Sequence, residues 1–367
     1  MTGFDPDGDD GEPPLDPHTA GWRAELRRRW NTTLASIPGL GSAVRPGAGV
    51  LDAPPPRGLG TPDDAGEGSD GDDGPPLPRW LRLPLWLHQA WDDAGGGSQP
   101  GGDAAPGTVS ATAASPGPPW LADVLWGQYA LFLHVRLVDD LLDGDARDRR
   151  LHFVADRFLL ESLDAFGRID GLGPDFHAFC RDRLQETVDG ILEVAALEEE
   201  PGAFTAARLP LHAKVSSIFR VGAVAVCHLL GRADDTGWIG ALQDRDHVFG
   251  QILDDLADVG EDLARGRYTF VGNALLNLEM GDAASADGLE RRLLEGMLLP
   301  SRAEPLWREL RRLAAEAAEV VPDAAPEPIH ALVRSLRDDV GALDDRLHEA
   351  RVRRVFGDDV VEAAGTS

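Results

Sequence analysis

Two short acidic stretches carry the residues best suited to chemistry. The first is Val138-Asp139-Asp140-Leu141-Leu142-Asp143, and the second runs from Gln251 through Asp254, Asp255, Asp258 and Glu261 to Asp262. On a helix of about 3.6 residues per turn, positions i, i+1 and i+4 fall within roughly 100° of arc, so Asp139, Asp140 and Asp143 share a face. Gln251, Asp254, Asp258 and Asp262 form a stripe, with Asp255 and Glu261 on its edges. An acidic helix face ordinarily meets water. Here the flanks, Leu131 to Val138 and Val248 to Leu253, are too apolar for that, which points the acids into a cavity. Carboxylates gathered out of water repel one another unless cations hold them, and oxygen ligands of this kind suit Mg²⁺ completed by substrate phosphates.

Basic residues follow both motifs. Arg147, Arg149 and Arg150 lie just after the first, and Arg265 and Arg267 just after the second. Guanidinium forks of this kind match phosphate oxygens. Of the 35 basic residues Lys214 is the one lysine, which suggests that a compact ammonium is wanted there. One arginine alone would read as a surface ion pair; the clustering beside acidic motifs favours anion binding. One and two turns before the first motif lie Tyr129, Phe132, Val135 and Arg136. The aromatic rings fit a lining for a cationic hydrocarbon or ordinary core, while Arg136 is expected to pair with Asp140 or reach the anion.

The elements that position these groups are helical. From Pro119 to about residue 356, apolar residues recur at spacings of three and four, as in Leu151, Val154, Phe158, Leu159, Leu163 and Phe166, with no sustained alternation. Turn signals fall at Asp170-Gly171-Leu172-Gly173-Pro174, Pro201-Gly202, Gly231, Gly281-Asp282, Pro300 and Pro322 to Pro328. The fold class read from this is all-α, with eight or more helices in a bundle at 119–356. Residues 1–20 read as a disordered acidic tail. Residues 21–118 read as N-terminal helices separated by Pro/Gly-rich linkers, with a helix at Trp22–Ile37 and a Trp-studded segment at Trp80–Trp91 that packs on the bundle. Residues 357–367 form a tail.

Charge and composition exclude several classes. A formal net charge of −28 repels phosphate polymers, so neither nucleic acid nor an anionic membrane is an expected partner. No apolar run approaches the roughly 20 residues of a transmembrane helix, and no signal peptide is evident, so a cytoplasmic location is expected. Cys180 and Cys227, both in apolar helical contexts, give no disulfide or zinc signal.

On these motifs the chain resembles the class I isoprenoid synthase superfamily, trans-isoprenyl diphosphate synthases above all. Asp139, Asp140, Asp143, Arg149 and Arg150 are similar to that family's D-D-x-x-D helix and following Arg pair. Val154-Ala155-Asp156-Arg157-Phe158-Leu159-Leu160 resembles its Ala-Gly-Asp-x-Leu-Leu segment, and Lys214-Val215-Ser216 its Lys-Thr segment. Phe249-Gly250-Gln251-Ile252-Leu253-Asp254-Asp255-Leu256-Ala257-Asp258 resembles F-Q-x-x-D-D-x-x-D with one inserted glycine. The resemblance implies an all-α bundle around a central cavity, with three Mg²⁺ ions held by Asp139, Asp140, Asp143, Asp254, Asp255, Asp258 and Asp262. It implies ionisation of an allylic prenyl diphosphate gripped by Arg149, Arg150, Lys214, Arg265 and Arg267, with the Gln251 carboxamide facing the reaction centre and a homodimer as the partner state. The hydrocarbon chain would lie along Phe132, Val135 and Arg136. Departures keep three outcomes open. The homoallylic G-K-x-R-P stretch survives only as Gly41-Ser42-Ala43-Val44-Arg45-Pro46. Asp258 to Tyr268 is similar to squalene/phytoene synthases, and Asp254, Asp258 and Asp262 fall on the spacing of the terpene cyclase metal triad. Elongation, cyclisation and head-to-head condensation therefore stand beside a non-catalytic helical binding protein.

Overall fold

The structure, a computed structural model, describes residues 25–26, 28–29, 32–33, 79–95, 118–142, 148–280 and 288–356. The expected tails at 1–20 and 357–367, most of both Pro/Gly-rich linkers, the Gly41–Pro46 stretch, the Gly281-Asp282 turn, Asp143 and Arg147 lie outside the described residues. Eleven α-helices occur among the described residues, with short 3₁₀ turns and no strand: α1 (Arg79–Gly95), α2 (Pro119–Leu142), α3 (Leu151–Gly167), α4 (Pro174–Glu198), α5 (Pro210–Val215), α6 (Arg220–Leu229), α7 (Thr236–Ala264), α8 (Phe270–Leu276), α9 (Leu289–Leu298), α10 (Pro300–Val320) and α11 (Glu327–Phe356). The all-α class read from periodicity is the class observed. The chain divides into two compact units, Met1–Arg181 with Ile218–Thr236, and Asp182–Ser217 with Gly237–Ser367.

In the first unit α2 is the central rod. Pro119 opens it, where a fixed φ and a missing N–H cost nothing. Leu121, Val124, Leu125, Trp126, Leu131 and Phe132 are all buried, because α3 packs along α2 while α1 and α6 cover other sides of it. The α2–α3 approach is close at Gly127, where a Cβ atom would stand 2.8 Å from the Phe166 ring. The Trp-studded segment is α1. Its Trp80 ring lies 4.7 Å from Phe132 and stacks on Phe219 at 5.1 Å, so it serves as core. Helix α6 is apolar on every side from Val221 to Cys227 and is buried throughout. The described residues of the expected Trp22–Ile37 helix are helical, and Arg29 Nη1 reaches Asp123 Oδ1 at 2.8 Å.

One polar contact crosses the apolar interior of this unit. The Gln128 side chain, fully buried on α2, accepts a hydrogen bond from Gly222 N at 2.6 Å and donates to Ile218 O at 3.4 Å. It thereby serves the Gly222 amide, one of the first N–H groups of α6.

In the second unit α8, α9, α10 and α11 pack together, with α10 against α8, α9 and α11. Thr269 caps α8 by accepting from Gly272 N at 3.3 Å. Asn273 ties two loops together: its Nδ2 donates to Phe204 O at 3.2 Å and Tyr268 O at 3.0 Å, and its Oδ1 accepts from Gly202 N at 2.9 Å. No single helix among the described residues is long and apolar enough to cross a membrane.

Replacing Gln128 by leucine keeps the volume and strands the Gly222 amide without an acceptor. The expected loss is about 1–3 kcal/mol. It is read as a lower urea midpoint at unchanged far-ultraviolet helicity; an unaltered midpoint would show that the contact is dispensable.

Candidate functional site

The first acidic motif closes α2 in the first unit. Asp140 is buried, its side chain 6% exposed, whereas the Asp139 side chain is 43% exposed. One turn earlier, Arg136 sends Nε to Asp140 Oδ1 at 3.0 Å, and its Nη1 lies 3.9 Å from Asp139 Oδ2. The expected Arg136–Asp140 pairing is thus present. It offsets the cost of withdrawing a carboxylate from water. Val135 is half-buried. Phe132 is buried against Trp80 and Phe219, with Tyr129 stacked 6.2 Å away, so its ring is engaged in core packing.

The Arg pair after this motif is less committed to the interior. Arg149 is exposed. Arg150 clamps Asp148, its Nε 2.9 Å from Oδ1 and its backbone N–H 3.0 Å from the same oxygen. That hydrogen bonding holds the Asp148 carboxyl down at about 2 and shapes the turn entering α3.

The second motif lies on α7 in the second unit, and its acids are not equivalent. Ile252, Asp255, Val259 and Leu263 are all buried, at the three- and four-residue spacing of one helix face. Asp255, expected at the edge of the acidic stripe, therefore sits within the aliphatic seam of α7. Asp254 and Asp262 flank the seam half-buried, and Asp258 is exposed. Gln251, one turn earlier, donates from Nε2 to Asp255 Oδ1 at 2.8 Å, and Oδ2 has no hydrogen-bond partner. Burial drives the Asp255 pKa well above the ordinary carboxylate value; the Gln251 hydrogen bond opposes this, and the charges of Glu198, Asp262 and Asp254 reinforce it.

A further carboxylate that the sequence did not single out comes from the end of α4. Glu198 is buried, and its Oε2 accepts from Arg267 Nε at 3.2 Å and Nη2 at 3.0 Å. Its backbone oxygen accepts from Tyr268 N at 2.8 Å. The run Glu198-Glu199-Glu200 reads as a solvated end, and only the fold brings Arg267 to it. The α7 helix stops at Gly266, whose φ of +78° suits glycine alone, and Arg267 N then returns to Asp262 O at 2.8 Å. Arg265 is exposed and pairs within the helix with Glu261 at 2.7 Å.

Lys214 extends from α5 to Glu193 of α4, its Nζ 3.2 Å from both carboxylate oxygens, with the two side chains 40% and 49% exposed. The short α5 lies tight against α4 at Gly190, where a Cβ would be 2.8 Å from Val215 N. Thr187 Oγ1 adds a contact to Lys214 O at 3.4 Å. The fold thus gathers Asp254, Asp255, Asp262, Glu198, Gln251 and Arg267 around one end of α7. Among the described residues no three His, Cys, Asp or Glu side chains converge closely enough to hold a metal ion by themselves. No protein-family model, curated protein or solved structure matches the chain.

The state of Asp255 has a consequence for stability. A carboxyl whose pKa is raised by folding contributes its full stability below the unfolded value of about 3.9 and loses it as pH rises toward the folded value. Asp255→Asn keeps the Gln251 hydrogen bond and removes the ionisable proton. It should raise stability at pH 7 by roughly 1–3 kcal/mol and leave it nearly unchanged near pH 4. Thermal unfolding followed at both pH values checks this; a destabilised variant at pH 7 would contradict the buried, uncompensated carboxyl.

Proposed function

We propose that the chain is a Mg²⁺-dependent class I isoprenoid synthase that ionises an allylic prenyl diphosphate for carbon–carbon bond formation, by prenyl transfer onto a homoallylic acceptor. The observation that carries this reading is that each acidic motif buries its second aspartate, Asp140 on α2 and Asp255 on α7, while its other described acids keep contact with water. A fully solvated acidic face would leave these two carboxyls in water as well.

The donor set suits Mg²⁺. It is all oxygen, and the buried Asp255 Oδ2 has no hydrogen-bond partner within the protein. Mg²⁺ commonly takes one or two carboxylates and fills its octahedron with phosphate oxygens and water, so it does not require three converging side chains. Asp139, Asp140 and Asp143 on one motif, and Asp254, Asp255, Asp258 and Asp262 on the other, are the residues that would hold it. When bound, the ion neutralises charge on the departing diphosphate.

The protein's own groups divide the remaining work. Arg149, Arg150, Lys214, Arg265 and Arg267 bind the diphosphate; Lys214 exchanges Glu193 for phosphate oxygens or bridges both, and Arg267 reaches phosphate while it keeps Glu198. Gln251 orients Asp255 through its amide hydrogen bond and presents its carboxamide beside the acids. The aliphatic neighbours of the motifs keep water from the cation formed on ionisation.

Terpene cyclisation is the second reading, favoured by the four-residue spacing of Asp254, Asp258 and Asp262, and head-to-head condensation by Arg265-Gly266-Arg267-Tyr268 directly after them. A helical binding protein is favoured by the engagement of Arg150 and Lys214 with carboxylates of their own surroundings.

One assay separates these readings. Full-length protein is incubated with farnesyl or geranylgeranyl diphosphate and Mg²⁺, with and without isopentenyl diphosphate. Chain elongation yields a longer diphosphate only with isopentenyl diphosphate, and cyclisation or condensation yields hydrocarbon without it. Asp139→Ala and Asp254→Ala are each expected to lower diphosphate release at least about 100-fold at unchanged circular dichroism. Absence of turnover by the wild type under every condition would favour the binding protein.

A further inference from the structure

The Glu198–Arg267 pair has a geometry that ordinary stabilisation does not require. The loop carrying Arg267 is already held by backbone contacts: Arg267 N donates to Asp262 O at 2.8 Å, Tyr268 N to Glu198 O at 2.8 Å, and Asn273 Nδ2 to Tyr268 O at 3.0 Å. None of these uses the Glu198 carboxylate. Withdrawing that carboxylate from water, to 7% exposure, carries a desolvation cost that the pair itself barely recovers, so such pairs contribute little net stability. Its effect falls on the guanidinium, where Oε2 receives both Nε and Nη2 and fixes the plane of the fork. The Arg267 side chain keeps 35% of its surface exposed, so the group that meets Glu198 also reaches solvent beside the half-buried Asp262.

We infer that Glu198 is a positioning residue: it aims the Arg267 guanidinium at the diphosphate bound beside the α7 acids, without itself touching substrate. This rests on the diphosphate reading of the preceding section and adds to it a residue on a different helix, whose task is orientation. Glu198 holds the fork in one plane by accepting from both Nε and Nη2 on a single buried oxygen.

The test uses the full-length chain, Mg²⁺ and inorganic pyrophosphate, with affinity read by titration calorimetry and apo stability read separately by thermal unfolding. Glu198→Ala should weaken pyrophosphate binding about tenfold, the scale seen when a partner that orients a binding group is removed. Glu198→Gln, whose amide oxygen accepts the same two hydrogen bonds at the same reach, should restore most of that loss. Glu198→Asp, which keeps the charge but draws it back by a methylene, should not. On an Arg267→Gln background the Glu198→Ala change should have no further effect. If Glu198→Ala does not fold, the contrast between the Gln and Asp variants decides the matter alone.

Wild-type affinity in Glu198→Ala overturns the inference, as does an undiminished loss on the Arg267→Gln background or a Gln variant as weak as the Ala variant. Wild-type protein that binds no pyrophosphate with Mg²⁺ overturns the diphosphate reading itself. That outcome is distinguished from the others by the wild-type titration.

Discussion

Taking a carboxylate out of water costs several kcal/mol unless the surroundings return the lost solvation. This chain does so at Asp140, Glu198 and Asp255, and meets the cost in three different ways. Asp140 is served from its own helix by Arg136, one turn away. Glu198 is served from a loop distant in sequence by Arg267. Asp255 receives only the neutral amide of Gln251 and keeps one oxygen unmatched, and burial pushes its pKa well above the ordinary carboxylate value. The first two arrangements are self-contained. The third is incomplete in the protein alone, and that asymmetry makes α7 the place where an added positive charge has most to gain.

Local helix chemistry explains how Asp255 comes to be there. The seam Ile252, Asp255, Val259 and Leu263 is set by the helical period, and the same period throws Asp258 outward. The flanking acids Asp254 and Asp262 therefore keep partial contact with water while the central one does not. Termination at Gly266 then folds Arg267 back toward Asp262 and Glu198, so a single helix end supplies both the acids and the cation beside them.

Much of the fold was legible in the sequence because helices declare their faces and ends locally. Pro174 and Pro300 open helices where the turn signals predicted breaks, and Gly231, with φ of +68°, lies just beyond the end of α6. The break between α5 and α6 gave no such warning, since Val215-Ser216-Ser217-Ile218-Phe219 contains neither proline nor glycine. At the site the acidic stripe is visible, but the spacing of the aspartates alone misplaces its phase. Counting from Ile252, Val259 and Leu263 instead would have singled out Asp255. The pairing of Arg136 with Asp140 was readable because it lies within one turn. Glu198 and Arg267 were not, because nothing local connects the end of α4 with the end of α7.

The contact at Gly190 bears on how such a chain can drift. The chain's one lysine owes its place to a residue with no side chain: α5 lies against α4 because the backbone at Val215 occupies the space a Cβ would fill. Lys214 itself is half-buried, yet the address it occupies is written at position 190. In a lineage of such proteins the glycine would be the slower of the two to change, and the fate of the ammonium would follow it.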